Sequence, residues 1–507
     1  MFYNLIIIFN IDIIKTSERL LCLLKEVIKK MKITLSNIIT IENPTKEVVE
    51  YCVKKLSYPN PQYARVKALG YSVYKVPKDI KLYNIYENKL YVPYGFFEDL
   101  WKIHPVVNDY VDYTTTRHAN FKSNIKLRDY QEPCVRAVKE HCIGILAIPV
   151  GLGKTQMAIQ CSCETQQKTL WITHTGDLLR QSKERVETNV ECSTSTITEG
   201  KCDISGDFVF ATMQTLIKYI EEESIPQDTF GLVCVDEIQI LNCNPRSMQM
   251  LRQCVEYWSA RYRISLSGSL YRSDGLEKCI EAIMGHPIYS IYQKKDDYVC
   301  EYNGEIIKRF PIDNFSVRPR IIARDTNYTI DDKEVYSRNG GTIEFASLIS
   351  DLAMDKNRNK LILKDLKKMK EPTILLSDRI SQLEYFYENL EGSVIITGDT
   401  PKKDRVKYLN QMRTGEKKYL LSSYQLCKAG LDIPVLVNLF MATPVKATSS
   451  IIQSIGRVMR ISEGKKQSNV YDYVDSNVGM LLNFYSKRRA IYRKNGWVID
   501  NMYLGGK

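Results

Sequence analysis

Two adjacent carboxylates, Asp236 and Glu237, end an apolar run in the segment FGLVCVDEIQIL at residues 230–241. The run is typical of a buried β-strand, so the two acids are predicted to stand at its carboxyl end. An isolated acidic pair in such a place is more often a strand end that faces water. The alternative is a pair that holds magnesium and activates water for nucleotide hydrolysis, which requires a phosphate-binding loop elsewhere in the chain.

A glycine-rich loop of this kind is predicted upstream, in IGILAIPVGLGKTQMAIQ at residues 143–160. A short apolar strand, a glycine turn and a helix follow one another there, and Gly151 and Gly153 allow the backbone to wrap closely around phosphate oxygens. Lys154 would supply positive charge to the β- and γ-phosphates, and Thr155 a hydroxyl to magnesium. The nucleotide-binding residues predicted from this loop are Pro149, Val150, Gly151, Leu152, Gly153, Lys154 and Thr155.

The loop departs from the general pattern at Ile148, where glycine is usual, but the variant Pro-x-Gly-x-Gly-Lys-Thr is intact at residues 149–155. A chance Gly-Lys-Thr is common. One that lies between a strand and a helix, and is followed by a second strand ending in Asp-Glu, is not. We therefore interpret Asp236 as a magnesium ligand and Glu237 as the group that activates water.

Length and composition indicate a folded protein of several domains. A chain of 507 residues exceeds one core, and 44% apolar with 26% charged residues excludes a disordered chain. The net charge of +12 favours a polyanionic partner, although a protein that is simply basic would show it too. The fourteen cysteines form no C-x-x-C pair, so we predict reduced, mostly buried thiols rather than zinc ligands or disulfides.

The first thirty residues are predicted to be an N-terminal extension that is not native, because Met31 opens a self-sufficient strand, turn and helix pattern. The opening MFYNLIIIFNIDII is interrupted by Asn10 and Asp12, lacks a basic start and is too short to span a bilayer. With no signal peptide or transmembrane segment indicated, we expect an intracellular, soluble protein without membrane partners.

Residues 31–118 are rich in tyrosine and lysine and are predicted to form a small substrate-binding domain. The alternation in LYNIYENKLYVPYG predicts a hairpin with Glu87 and Asn88 at its turn. Tyrosines in such a region are as often half-buried sheet residues. Interleaved with lysines, they also suit nucleic-acid backbones and bases.

Two α/β units are predicted after this region. Strands alternate with helices over residues 119–300, which include the glycine-rich loop and the acidic pair, and again over residues 346–507. Residues 301–345 between them are predicted to be an irregular linker.

The second α/β unit has no phosphate-binding loop, but it contains QSIGRVMR at residues 453–460. Arg457 and Arg460 are three residues apart, and we predict that they share one face at the start of a helix. Guanidinium groups placed in this way can reach the γ-phosphate of a nucleotide held by another domain. Taken alone, such a pair is more often a solvated basic face.

The order of these elements resembles the superfamily 2 helicases, from residue 119 to the C-terminus. The segments that carry the resemblance are Pro149 to Thr155, Asp236-Glu237-Ile238-Gln239, Ser267-Gly268-Ser269, Gly430 with Asp432, and Gln453, Gly456, Arg457 and Arg460. The resemblance implies an α/β fold of two tandem RecA-like parallel-sheet domains with a small α+β N-terminal domain. It also implies ATP and Mg²⁺ as cofactors, with catalytic roles for Lys154, Glu237, Arg457 and Arg460.

Further nucleotide-site residues are implied by the same resemblance. Gln131, in LRDYQ at residues 127–131, is expected to read the adenine, and Gln239 to sense the nucleotide state. Gly430, Asp432 and Gln453 are expected to complete the site from the second domain. Thr155 and Asp236 are the expected magnesium ligands.

Within the superfamily, SLYRSDG, GHPIY, DKNRNKLI and YDYVD resemble the XPB and UvsW type of DNA translocase, which includes many phage members. Two departures stand out: Gln239 replaces histidine, and Ser267-Gly268-Ser269 replaces the commoner Ser/Thr-Ala-Thr. We expect an ATP-dependent helicase or translocase that acts on branched or duplex DNA, with DNA favoured over RNA. An RNA helicase and the motor subunit of a restriction-like complex are the alternatives.

Overall fold

A computed structural model describes residues 30–149, 151–238, 245–268, 276–314, 317–330, 345–428, 433–445, 448–462 and 464–502. The predicted extension, apart from Lys30, lies outside the described residues. None of the described helices is both long and apolar enough to cross a membrane. Nine of the twelve described cysteines are buried, and all twelve are free thiols.

The N-terminal unit is a five-stranded mixed sheet with three helices. Its elements are β1 (Lys32–Leu35), β2 (Ile39–Glu42), α1 (Lys46–Lys55), β3 (Ser57–Pro59), α2 (Pro61–Ala68), β4 (Asp79–Lys81), β5 (Asn84–Tyr86), β6 (Lys89–Val92), α3 (Phe97–Ile103) and β7 (Tyr110–Asp112). The sheet order is β5-β6-β2-β1-β7, and β3 pairs separately with β4. The predicted hairpin is confirmed, because Glu87 and Asn88 turn the chain at φ of 48° and 60° between β5 and β6.

The next unit contains a ten-stranded sheet. Its elements are β8 (Lys122–Ser123), α4 (Glu132–His141), β9 (Ile143–Ala147), α5 (Lys154–Thr165), β10 (Thr169–Thr173), α6 (Gly176–Asn189), β11 (Val190–Glu191), β12 (Thr194–Thr198), β13 (Lys201–Cys202), β14 (Phe208–Thr212), α7 (Met213–Glu221), β15 (Leu232–Val235), α8 (Pro245–Glu256), β16 (Tyr262–Ser267), α9 (Glu277–Met284), β17 (Pro287–Lys294), β18 (Asp297–Tyr302) and β19 (Glu305–Pro311). The order is β13-β12-β14-β10-β15-β16-β9-β17-β18-β19, with parallel pairing from β12 to β17. The carboxyl ends of β9 and β15 therefore open at the same edge of the sheet.

The last unit contains a seven-stranded sheet in which all pairings are parallel. Its elements are β20 (Pro319–Asp325), α10 (Phe345–Met354), α11 (Lys356–Leu366), β21 (Thr373–Leu376), α12 (Ile380–Asn389), β22 (Ser393–Ile396), α13 (Lys402–Arg413), β23 (Tyr419–Ser422), α14 (Tyr424–Lys428), β24 (Asn438–Met441), α15 (Thr448–Val458), β25 (Ser468–Val474), α16 (Gly479–Lys494) and β26 (Val498–Met502). The strand order is β22-β23-β21-β24-β25-β20-β26. The fold thus confirms the expected architecture, in which a small N-terminal unit precedes two tandem RecA-like α/β domains.

The boundary between the two large domains differs from the predicted one. The first sheet continues through β19, and β20 already belongs to the second sheet, where it lies between β25 and β26. Both strands fall within residues 301–345, which the sequence analysis assigned to an irregular linker. The pairing partners of β20 lie far along the chain, at residues 468–474 and 498–502, so local periodicity gave little indication of it.

The N-terminal unit shares one continuous hydrophobic core with the first large domain, and residues such as Ile33 and Leu90 belong to the same cluster as Ile143 and Val233. The fit is close. A Cβ atom on Gly95 would lie 2.5 Å from the backbone nitrogen of Gly285. The two units are therefore packed as one body rather than as separable domains.

A buried arginine on β16 fixes this packing. Arg263 is fully buried and donates to the carbonyl oxygens of Asn37 at 2.8 Å and Ser36 at 2.6 Å, in the β1–β2 turn. Its guanidinium also lies 4.1 Å from the ring centre of Tyr94, a cation–π contact. Burial lowers the pKa of Arg263 to about 10, which leaves it charged at neutral pH.

A second polar contact crosses the same interface. The Nε2 atom of His286 lies 2.7 Å from Oδ2 of Asp99 in α3, and its Nδ1 atom lies 3.4 Å from Oε2 of Glu281 in α9. Hydrogen bonds to these two carboxylates raise the pKa of His286 to about 9, so the imidazole carries a charge at neutral pH. Arg263 on β16 and His286 after α9 thus both connect the N-terminal unit to the first large domain.

Candidate functional site

The glycine-rich loop has the backbone conformation that a phosphate cradle needs. It follows β9 and precedes α5, and Gly151 and Gly153 adopt φ of 95° and 84°, which side chains with a Cβ avoid. Lys154 and Thr155 open α5, so their side chains and the first free N–H groups of the helix lie at the loop. The strand, turn and helix predicted at residues 143–160 are confirmed.

Gln131 packs directly against this loop. Its Nε2 donates to the carbonyl oxygen of Leu152 at 2.9 Å, and its Oε1 accepts from the backbone N–H of Arg128 at 2.9 Å. A Cβ on Gly153 would lie 2.5 Å from the same Nε2, so glycine is also required there for close approach. The structure therefore brings Gln131 to the phosphate loop, with its amide bonded to backbone groups.

Lys154 and Glu237 meet across the site. The Nζ atom of Lys154 donates to Oε1 of Glu237 at 2.6 Å, and the exposed fractions of the two side chains are 8% and 20%. Glu237 has a φ of 53°, an uncommon left-handed conformation for a residue with a side chain, directly after β15 and Asp236. The phosphate loop and the acidic pair, which lie 83 residues apart in sequence, thus form one site.

Asp236 is buried beside this pair, and its Oδ1 has no hydrogen-bond partner among the described residues. Its Oδ2 accepts a long hydrogen bond of 3.4 Å from Ser182 in α6. Burial and the charge of Glu237 raise the pKa of Asp236 to about 6, against the opposing influence of Lys154 and Arg185. A buried carboxylate oxygen without a donor fits a role in holding a hydrated magnesium ion, together with the hydroxyl of Thr155.

Arg185 is a site residue that the sequence analysis did not identify. Its Nη1 donates to the Thr155 hydroxyl oxygen at 2.9 Å, and Arg185 lies one helical turn after Ser182 on α6. One face of α6 therefore contacts both expected magnesium ligands. The alternation of strands and helices predicted for residues 119–300 gave no reason to single out an arginine in the third turn of this helix.

His174 is a second residue that was missed. It follows β10, whose Ile172 pairs with Val235, so His174 stands at the level of Glu237 on the neighbouring strand. Its Nε2 is buried without a hydrogen-bond partner among the described residues, and burial lowers its pKa to about 4. The imidazole is therefore neutral at physiological pH. Its position directly after a predicted parallel strand was the feature of the sequence that could have indicated a site residue.

The two arginines of the second domain do not lie as predicted. Helix α15 ends at Val458, so Arg457 stands in its last turn and Arg460 two residues beyond its end. The prediction that both stand at the start of a helix was wrong, because the apolar positions Ile451, Ile455 and Val458, all buried, extend the helix upstream.

Arg460 nevertheless lies close enough to Arg185 of the first domain to interact with its charge. Burial and the nearby charge of Arg185 lower the pKa of Arg460 to about 10. Two like charges from different domains thus approach each other beside the phosphate loop. This arrangement suits an anion placed between the domains.

The two domains also touch at the start of α6. The Nη1 atom of Arg405 in α13 donates to Oδ2 of Asp177 at 3.2 Å, while its Nη2 donates to the carbonyl oxygen of Gly398 at 2.7 Å. Because Arg405 is held by its own loop, it presents a fixed charge to Asp177.

Several predicted residues lie outside the described part of the structure. These are Val150, Gln239, Gly430 and Asp432, together with the side chain of Gln453. Their expected contacts with nucleotide therefore stay predictions. Among the described residues, no group of three or more His, Cys, Asp or Glu side chains could hold a metal ion.

Two parallel-sheet domains, with a phosphate loop and acidic pair in one and Arg460 of the other close to Arg185 beside that loop, define a two-domain nucleoside triphosphatase of the helicase class. Residues 124–272 match the family model described as type III restriction enzyme, res subunit. Residues 355–462 match the model described as helicase conserved C-terminal domain.

Known relatives agree with this assignment. A protein of Escherichia phage T5 named as a helicase is 27% identical over 480 residues, which cover 92% of this chain and 95% of the relative. A protein of Acanthamoeba polyphaga mimivirus named as an ATP-dependent RNA helicase is 26% identical over 378 residues, covering 73% and 67%. The DNA 3'-5' translocase XPB2 of Sulfurisphaera tokodaii is 24% identical over 368 residues, covering 67% and 80%.

A solved fragment named as an HsdR subunit of a type I restriction enzyme from Vibrio vulnificus superposes with a TM-score of 0.51 at 19% identity, covering 75% of this chain and 69% of the fragment. That likeness shows the fold alone. The chain is an ATP-hydrolysing superfamily 2 helicase of the type found in phages and large DNA viruses.

Proposed function

We propose that this helicase is a DNA-stimulated ATPase that moves along or remodels branched or duplex DNA. The observation that carries the proposal is the joining of Lys154 and Thr155 with Asp236 and Glu237 in one buried site, at an edge that Arg460 approaches from the second domain. A motor needs such a site because ATP must change the contact between two domains.

In this proposal, each side chain of the first domain has a distinct part. Lys154 leaves Glu237 to bind the β- and γ-phosphates, which frees the carboxylate to orient and deprotonate the attacking water. Asp236 and Thr155 would hold magnesium, which when bound neutralises phosphate charge. Gln131 would contact the adenine base and Gln239 would report the nucleotide state.

The second domain would complete the site through Arg457 and Arg460, which stabilise the negative charge that develops on the transferred phosphoryl group. Gly430, Asp432 and Gln453 would contribute from the same side. Because Arg185 and Arg460 repel each other, the closed arrangement is favoured only when a polyanion lies between them. Hydrolysis and release of phosphate remove that anion, and the domains can then separate.

DNA is favoured over RNA as the substrate because the segments that resemble the XPB and UvsW type of DNA translocase agree with the match to a relative named as a DNA 3'-5' translocase. The net charge of +12 suits either polyanion. The name of the mimiviral relative supports the alternative, an ATP-dependent RNA helicase. The match to a restriction-enzyme family model supports a second alternative, a motor subunit that works beside a separate nuclease.

ATP hydrolysis measured with single-stranded, duplex and branched DNA and with matched RNA tests the proposal. The Glu237→Gln variant, purified in the same way, controls for contaminating ATPases. We expect DNA to raise the rate at least tenfold and RNA to have less effect. Stimulation by RNA alone would support the RNA helicase, and absence of stimulation by any nucleic acid would overturn the proposal.

A further inference from the structure

An eighteen-residue excursion, residues 61–78, projects from the N-terminal unit between the paired strands β3 and β4. We name it the basic flap. Its base is closed, because Pro59 pairs with Asp79 and the buried Asn60 bonds across it. The Nδ2 atom of Asn60 donates to the carbonyl oxygen of Pro77 at 2.7 Å, and its backbone N–H donates to that of Lys78 at 3.0 Å.

None of the residues of the basic flap is buried. It contains helix α2, which has no buried residue of its own. A helix of two turns gains little from its own hydrogen bonds, and most helical stability in proteins comes from packing an apolar face. The firm anchoring at Asn60 therefore holds in place a segment that adds nothing to the hydrophobic core.

The composition of the basic flap is one-sided. It contains four cations and no acid, and its cations are Arg65, Lys67, Lys75 and Lys78. It also holds three tyrosines, of which Tyr71 is 70% and Tyr74 92% exposed. The flap therefore exposes tyrosine rings and positive charges without acidic residues among them. This combination favours a ligand that has both negative charge and flat apolar faces.

The groove next to the basic flap has a different character. A cavity of about 630 Å³ lies between the N-terminal unit and helix α8, and Pro77 at the base of the flap lines its edge. Its wall contains two acids and two cations, Asp79 and Glu256 with Lys81 and Arg252, and Nε of Arg252 lies 2.9 Å from Oε1 of Glu256. The charges of the groove balance, so the projecting flap rather than the groove is the surface with net positive charge for a polyanion.

We propose that the basic flap binds a nucleic-acid strand with unpaired bases, its cations contacting phosphates and Tyr71 and Tyr74 stacking on bases. The proposal rests on the proposed function and adds the place where the strand is held. Phosphate contacts and stacking do not depend on base sequence, which suits a protein that moves along its substrate.

The anchoring gives this contact a mechanical consequence. Arg263 and His286 fix the N-terminal unit to the ATP-binding domain, so the basic flap is fixed to that domain as well. A strand held by the flap would stay with the first domain while the second domain moves during ATP hydrolysis. The flap is thus expected to contribute to affinity and to the use of each ATP, not to the chemistry of hydrolysis.

Two variants separate the electrostatic and the stacking parts. Lys67→Gln with Lys75→Gln removes two flap charges, and Tyr71→Ala with Tyr74→Ala removes the rings. The matched charge control is Lys32→Gln with Lys46→Gln, two exposed lysines of the same unit that lie outside the flap. The ring control is Tyr387→Ala, a tyrosine of α12 that is 49% exposed.

Binding of a fluorescein-labelled oligothymidine is measured by anisotropy over a range of salt concentrations. Because each phosphate contact contributes a slope of about 0.7 in log Kd against log salt for single strands, the lysine pair is expected to lower the slope by ~1.4. The tyrosine pair is expected to weaken binding about tenfold or more with the slope unchanged. Both control variants should bind like the wild type.

Basal ATP hydrolysis and Tm are measured on every variant, and both should stay at wild-type values because no flap residue packs in the core. Flap variants that bind the single strand like their controls would overturn the flap proposal, as would a loss confined to duplex DNA. If the wild type were stimulated normally in that case, the proposed function would stand. Absence of stimulation in the wild type itself would instead count against the proposed function.

Discussion

The guanidinium of Arg185 donates a hydrogen bond of 2.9 Å to the hydroxyl of Thr155, the residue expected to hold magnesium. On the same helix, Ser182 bonds Asp236 and Asp177 bonds Arg405 of the second domain. Helix α6 therefore connects the two residues expected to hold magnesium with the second domain. A shift of this helix would therefore change the contacts with Thr155 and Asp236 and the contact with Arg405 together.

Replacing Arg185 with glutamine is expected to weaken nucleotide binding more than turnover. The change removes a charged hydrogen bond and a positive charge that, after Lys154, opposes the rise in the pKa of Asp236, so KM for ATP should rise about tenfold, which corresponds to ~1.4 kcal/mol, with a smaller change in kcat. Binding of a fluorescent ATP analogue at several magnesium concentrations measures this directly. The control is Lys183→Gln, whose lysine pairs with Glu187 at 3.6 Å on the surface of the same helix.

An unchanged affinity for nucleotide and magnesium in Arg185→Gln would show that the contact with Thr155 has no functional role. Arg185→Lys should recover part of the binding, because a charge remains although the planar fork is lost.

Substitutions of the Lys154 and Glu237 pair should abolish turnover in different ways. Lys154→Ala removes the charge that binds phosphates, so affinity for ATP should fall together with the rate. Glu237→Gln should lower kcat by at least a hundredfold and still bind ATP, because the amide cannot accept the proton of water. Single-turnover hydrolysis and equilibrium nucleotide binding distinguish the two. A near-normal kcat for Glu237→Gln would remove Glu237 from the role of base.

The arginines of the second domain are expected to act on the transition state. Arg457→Ala should leave binding of ATP by the first domain largely intact and lower kcat by about a thousandfold, and Arg460→Ala should behave similarly. The exposed Lys487→Ala of the same domain serves as the control. If only KM changed, the arginine would be a ground-state ligand of the nucleotide.

The ion pair between Asp177 and Arg405 is expected to couple the two domains. Asp177→Asn and Arg405→Met should each reduce stimulation of ATP hydrolysis by nucleic acid a few fold, and the double variant should be no worse than either single variant. The coupling should be worth about 1 kcal/mol and weaken with salt, since both side chains retain some contact with water. Additive losses in the double variant would contradict a direct functional contact.

Stability of the joint N-terminal body should depend on Arg263. Arg263→Met removes the donor to the half-buried carbonyl oxygens of Ser36 and Asn37 and the contact with the ring of Tyr94, which should cost about 1–3 kcal/mol in the free energy of unfolding. The control is Arg261→Met, two residues earlier, where a half-exposed ion pair of 3.5 Å with Asp112 is worth ~1 kcal/mol at most. Thermal unfolding and limited proteolysis near residue 118 compare the two. Equal Tm values would show that the N-terminal unit does not rely on this anchor.

The chemistry of the site was largely determined by sequence. A strand, a turn with glycines at two positions and a helix that starts at Lys154 leave the backbone few alternatives, so the cradle follows from local geometry. The position of Asp236 and Glu237 was also predicted, because the short apolar run before them is typical of a buried strand and the polar residues follow at its end.

Tertiary structure decided which further groups join these residues. Arg185 lies 30 residues from Thr155, and His174 reaches the level of Glu237 only because β10 and β15 are neighbours in the sheet. No local pattern specifies which strands lie side by side. The packing of the N-terminal unit against the first large domain also depends on a long-range contact, since Arg263 forms hydrogen bonds with residues more than 200 positions away.

The position of Arg457 and Arg460 shows that the ends of a helix could not be predicted from the local segment alone. Their spacing was visible, but the extent of α15 was set by Ile451, Ile455 and Val458 packing into the second domain, which placed the arginines at its end rather than at its start. Sequence determined the chemical groups and their local backbone. The burial of apolar faces against partners distant in the chain decided where those groups meet, because the free energy of packing is gained only in the assembled fold.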